Sequence, residues 1–168
     1  FYHLMIAQKK MISTLFKSFS LSLVIISFAA LVFFKNLGLF FIFLIVNTIP
    51  VFASFPLIYL LGTSFNVATV MTYSISLGLI VDSSFHIIHA LKEGYHLNQK
   101  KDFYFNTIIV PVMQSSLLLS LCFAFFGLNN FLPIKEFGIT LSILIFFGMI
   151  LDLKVLPTLY LGKKQKEK

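Results

Sequence analysis

Apolar residues fill the chain in five long blocks separated by short polar breaks. The blocks run over about residues 18–34, 39–61, 66–91, 106–127 and 137–161. Each is close to the ~20 residues an α-helix needs to cross a hydrocarbon core. The breaks are Lys35-Asn36, followed by Gly38; Gly62-Thr63-Ser64-Phe65; a long polar stretch over 92–105; and Asn129 to Glu136. The pattern predicts an all-α, polytopic membrane bundle of five transmembrane helices. Pro50 and Pro56 within the second block predict a kink, since each removes a backbone donor. Residues 1–17, with Lys9, Lys10 and Lys17, read as an amphipathic lead-in, and residues 163–168 as a basic tail.

Composition sharpens this reading. Of 168 residues, 58% are hydrophobic and 11% charged, where a soluble domain carries roughly 25% charged residues. Lys supplies all thirteen basic residues, so the chain has no arginine fork for phosphate, and the net charge of +7 is no sign of nucleic-acid binding. The Lys residues sit in breaks and at the chain end, as topology signals do. One side of the membrane collects Lys35, Lys92, Lys100, Lys101 and the four tail lysines, the other Lys9, Lys10, Lys17 and Lys135. That bias predicts a multi-pass membrane protein with its C-terminus in the cytoplasm. Cys122, the single cysteine, reads as a small packing residue. The first residues read like the interior of a longer chain.

Inside the third block lies the candidate chemistry: Asp82, His86 and His89, on one helical face. An acid inside an apolar span is expensive as a charge, and an imidazolium one turn away offsets the expense. Asp82 and His86 can therefore hold or release a proton as solvent access changes. The face is expected to turn inward, with the third span at the centre of the bundle and the fourth and fifth beside it. A plain hydrogen bond to a neighbouring helix is the alternative for Asp82, and an interfacial position for His86 and His89. Asp-x3-His-x2-His also offers three metal ligands, but no other His lies within a span to complete the set, so neither a metal nor another cofactor is expected.

Other polar residues are neighbours of this face. Ser115 and Ser116, with Gln114 and Ser120, form a polar side of the fourth span that either bonds a neighbouring helix or carries water toward Asp82. Asp152 near the end of the fifth span either snorkels or closes the site from below. Ala68, Thr72 and Ser76 form a small-residue stripe suited to close packing. Ser83 or Ser84 with Asp82 and His86 invites an intramembrane hydrolase reading, yet neighbours on one helix do not converge as a triad does. Glycine-rich phosphate loops are missing from the sequence.

At this point the residues carry a resemblance. Gly78-Leu79-Ile80-Val81-Asp82-Ser83-Ser84-Phe85-His86-Ile87-Ile88-His89, followed by Lys92-Glu93, resembles the fourth-helix signature of resistance–nodulation–division (RND) transporters. It is most similar to the branch of hydrophobe/amphiphile exporters that includes the mycobacterial large membrane proteins. Phe131-Leu132-Pro133-Ile134-Lys135-Glu136-Phe137-Gly138 and Leu151-Asp152-Leu153-Lys154-Val155-Leu156-Pro157 match in order and spacing. The sequence departs at Ser83, where the family often has Tyr or a second Asp, and at Ile80, where its Gly-x-Gly has the second glycine. The resemblance implies one transmembrane half, the C-terminal one, of a proton-driven exporter of lipids or other amphiphiles. Its expected partners are membrane lipids, an amphiphilic substrate, the other half of the transporter and a possible second copy. Asp82 matches the family's relay aspartate, so a transporter and no enzyme is implied. A sterol-sensing, lipid-binding module shares the five-helix plan and is the related alternative.

Overall fold

The computed structural model describes residues 2–60, 67–96 and 109–166. Without water, backbone groups in a hydrocarbon core must bond within their own segment, and these apolar blocks accordingly form helices. The elements are α1 (Tyr2–Phe34), α2 (Leu37–Leu60), α3 (Val67–His96), α4 (Val110–Phe125) with a 3-10 turn at Phe126–Leu128, and α5 (Leu132–Lys166). All five are long and apolar enough to cross a membrane, so the chain is a multi-pass membrane bundle.

Several boundaries differ from the sequence pattern. The expected lead-in over 1–17 is continuous with the first span as one 33-residue helix, whose apolar stretch begins at Lys9. α3 runs past Lys92 to His96. α5 begins inside the expected 129–136 break and reaches Lys166 in the basic tail. α2 passes through Pro50 and Pro56 as one helix. The Gly62–Phe65 turn, residues 97–105 of the polar stretch and the start of the fourth block at 106–108 lie outside the described residues.

The α1–α2 turn is where the sequence puts it. Lys35 takes a left-handed backbone with φ 50°, an uncommon conformation for a residue with a Cβ. Asn36 then caps α2 through its side-chain oxygen, which accepts from the Gly38 N–H at 3.0 Å. Four phenylalanines fasten this end of the bundle. Phe85 of α3 lies against Phe34 and Phe33 of α1 and Phe43 of α2, with ring centroids 5.2, 5.4 and 4.8 Å away. Such pairs contribute ~0.5–1.5 kcal/mol each beyond their buried area.

α3 packs against all four other helices, which is the central place expected of it. Its longest contact is with α5, which also packs on α2 and α4. Thr72 and Ser76 of the small-residue stripe are fully buried, and so is Thr69. Along the contact of α3 with α5, Gly148 makes room for Ile80: a Cβ on Gly148 would stand 2.7 Å from Ile80 Cγ1. Ile80 is thus accommodated by a glycine on the helix facing it. α1 and the outer side of α4 are largely exposed along their apolar length.

Candidate functional site

Polar groups inside the bundle converge on Asp152. Its helix, α5, turns the carboxyl toward α3, and the residue is 1% exposed. Ser84, fully buried, places Oγ 2.5 Å from Asp152 Oδ1. Ser83, half-buried, places Oγ 2.5 Å from Asp152 Oδ2. The two oxygens of one carboxylate are thereby engaged by two consecutive serines of the neighbouring helix. A third helix joins through Asn47 of α2, whose Oδ1 is 3.2 Å from Ser84 Oγ. The Asn47 amide nitrogen donates to the Phe43 carbonyl at 2.7 Å, and that bond turns Oδ1 toward Ser84. Three helices are tied at one level, between about 9 and 15 Å from the ends of their apolar stretches on the same side.

A second polar site lies on the other side of Ser83. A groove of about 330 Å³ opens between α3 and α4. From α3 it is lined by Asp82, Ser83 and His86, and from α4 by Ser115 and Ser116. His86 Nε2 is 3.7 Å from Asp82 Oδ1 across one helical turn. Both side chains are open, Asp82 78% and His86 68% exposed. Ser115 also donates to the Val112 carbonyl at 3.0 Å, an ordinary back-bond within α4. Its neighbour Ser120 instead reaches α5, donating to the Ser142 carbonyl at 3.0 Å.

These positions sort the residues picked out in the sequence. Asp82, His86, Ser115 and Ser116 meet around one groove. The inward orientation expected of Asp82 is not found: the acid at the heart of the bundle is Asp152, and Asp82 faces the open side of α3. The physical reason is packing, since α3 buries its small-residue side and Ser84 against α2 and α5 and leaves the Asp82 side to the groove. His89 stands one turn beyond His86, with its ring 6.2 Å from that of Phe33, toward α1 and not toward the groove residues. Asp152 does not snorkel and does not line the groove: it is buried against α3, behind Ser83. Ser83 and Ser84 address Asp152, an arrangement unlike a nucleophile with its base. Among the described residues no group of three acid, histidine or cysteine side chains converges as a metal site would.

Asn47 and Ser84 were missed as members of the site. Their signal was present in the spacing: each lies about two to three turns in from the end of its apolar stretch on the same side, as does Asp152.

Fold and site together define a class: a polytopic α-helical membrane protein with a carboxyl buried among hydroxyl and amide groups and a second, open acid–imidazole pair beside it. No protein-family model matches the chain, and no curated protein matches it either.

Proposed function

We propose that this chain is the transmembrane part of a proton-driven exporter of lipids or other hydrophobic or amphiphilic compounds, of the RND type that its motifs resemble. One observation carries the reading. Asp152, a carboxyl buried in the bundle, shares Ser83 with a groove that holds Asp82 and His86. A static structural acid needs no such connection, whereas a coupling site needs a protonatable group that is shielded from lipid yet reachable by water. In this reading Asp82 and His86 collect protons at the groove and Ser115 and Ser116 support water there. The exposed Asp82 face of α3 would lie against the other half of the transporter or a second copy, and the Lys-rich side would be cytoplasmic in the cell membrane.

The groove is also lined by apolar side chains, Leu79 of α3 and Val112, Leu118 and Leu119 of α4. That apolar lining supports the second reading, a sterol-sensing-like module that binds lipid without moving protons.

The deciding experiment reconstitutes the full chain in liposomes loaded with a fluorescent amphiphile and imposes a pH gradient. Asp82→Asn keeps size and hydrogen bonding but cannot carry a proton. It is expected to remove gradient-driven efflux at unchanged protein level, because 100 mV drives a step by ~2.3 kcal/mol only where a charge moves. His86→Gln is expected to shift the pH dependence of efflux and leave part of it. Full efflux by Asp82→Asn with retained lipid binding would favour the lipid-sensing module.

A further inference from the structure

The network around Asp152 has fewer hydrogens than acceptors. Ser83 Oγ lies 2.8 Å from the Ile80 carbonyl and 2.5 Å from Asp152 Oδ2. Ser84 Oγ lies 3.2 Å from Asn47 Oδ1 and 2.5 Å from Asp152 Oδ1. Each serine therefore faces two acceptors with one hydrogen. Suppose the carboxyl is charged. Both hydroxyls then donate to it, and Asn47 Oδ1, buried and turned to Ser84 by its own bond to Phe43, receives nothing from Ser84. Suppose instead that one proton is added at Oδ1. Asp152 donates to Ser84, Ser84 donates to Asn47 Oδ1, and Ser83 still donates to Oδ2. A proton added at Oδ2 gives the mirror arrangement: Asp152 donates to Ser83, and Ser83 donates to the Ile80 carbonyl. The same heavy-atom positions serve the empty seat and both loaded forms.

We infer that Asp152 is the seat of an exchangeable proton, with Ser83 as its entrance from the groove and Ser84–Asn47 as the pair that holds the loaded form on the inner side. The entry step balances as a relay. A hydronium ion in the groove gives a proton to Ser83 Oγ, Ser83 gives its own hydrogen to Asp152 Oδ2, and one water remains in the groove. A half-turn of the protonated carboxyl about its Cβ–Cγ bond then carries the intact O–H from the Ser83 side to the Ser84 side, the two oxygens exchanging places. This deepens the exporter reading and rests on it only for what the proton is used for.

Charged and titratable groups near the seat are few. On α3, Asp82 and His86 stand on the groove side of Ser83. On α5, Lys154 is exposed, and Glu136 is about 24 Å along the helix. α2 offers only Tyr59 among its described residues, beyond Pro56, and α4 only Cys122, which is exposed.

The test is infrared difference spectroscopy of the full chain in lipid bilayers, stepped between alkaline and acid pH. The expected result is a protonated-carboxyl band that grows on acidification, is lost in Asp152→Asn and stays in Asp82→Asn. Ser84→Ala is expected to shift that band to higher frequency, because the loaded acid loses its acceptor, while Ser116→Ala leaves it in place. Ser83→Ala is expected to keep the band but slow its rise after a pH jump by roughly tenfold or more. A band that survives Asp152→Asn, or one that disappears with Asp82→Asn alone, overturns the seat. An unshifted band in Ser84→Ala overturns it as well, independently of how well Asp152→Asn folds. An unchanged rise in Ser83→Ala overturns the entrance. Efflux from the same preparations separates this from the exporter reading: an intact band without coupled efflux leaves the seat standing and removes the exporter.

Discussion

Gly148→Ala probes how closely α3 and α5 must approach for Asp152 to reach its serines. The added methyl would stand 2.7, 3.0 and 3.0 Å from Ile80 Cγ1, Cδ1 and Cγ2. Carbon atoms rest at about 3.5–4.0 Å, so the helices must part by close to 1 Å or Ile80 must leave its rotamer. Ile80 is 2% exposed, and a β-branched side chain in a helix has essentially one good rotamer. Over-packing of this kind costs ~1–3 kcal/mol. Ser83, Ser84 and Asp152 lie one turn along the same contact, so parting the helices also stretches both 2.5 Å bonds. Ile80→Ala removes all three clashing atoms and by itself costs ~2–5 kcal/mol through the cavity it leaves. In the double variant the Gly148→Ala methyl enters that cavity. The two changes should then be less than additive by ~1–3 kcal/mol, as residues in contact are. The assay is reversible unfolding of the four proteins in mixed micelles, followed by circular dichroism. Additivity within ~0.5 kcal/mol would mean that Ile80 and Gly148 are not the contact that sets the α3–α5 spacing.

Neighbouring serines should respond unequally: Ser84→Ala removes the buried hydroxyl that links Asp152 to Asn47 and should lower stability by ~1–2 kcal/mol, while Ser83→Ala, at a half-buried position, should cost less than ~0.5 kcal/mol in the same unfolding measurement. Gly78 lies on the open face of α3 with no atom within reach of an added Cβ; Gly78→Ala should leave the isolated chain as stable or raise it by ~0.5–1 kcal/mol through helix propensity, and a loss of stability would mean that this face is packed after all. For topology, single cysteines at Gln99 and Gln165 in a Cys122→Ala background should resist an impermeant thiol reagent in intact cells while one at Asn130 reacts; the reverse pattern would invert the orientation drawn from the lysines.

The five helices were legible because a span of hydrocarbon demands a run of apolar residues whatever it packs against. Lys35-Asn36 was legible as a turn for a similar local reason: a lysine and a helix-capping asparagine interrupt two apolar runs. The rotational phase of α3 was legible only in part: the Thr72 and Ser76 stripe packs as expected, while Asp82 turns outward. α3 is apolar or small on nearly every side, so its hydrophobic pattern does not say which face is buried. Packing decides that, and it buries the Thr69, Thr72, Ser76 and Ser84 side. Asp82 drew attention because it stands beside two histidines. Asp152 drew less, because an acid near the end of a span is commonly a snorkelling residue. What distinguishes them is the partner helix, and only Asp152 has buried hydroxyls to meet it.

Ser83 joins the two halves of this picture by geometry alone. Consecutive residues of an α-helix are turned by about 100°. Asp82, Ser83 and Ser84 therefore sweep over about 200°, enough to carry α3 from its open face to its buried one in three residues. Asp82 at one end looks into the groove, and Ser84 at the other bonds Asp152 and Asn47 inside the bundle. Ser83 falls between them, lining the groove while its hydroxyl touches the buried carboxyl. A tyrosine there would be too large for the same helix spacing, and an aspartate would set two carboxylates against each other. A serine is small enough to fit and can both accept and donate. The serines on α3 and the acid on α5 therefore fit one another: the buried carboxyl stands on one helix and the hydroxyls that bind it on the facing one.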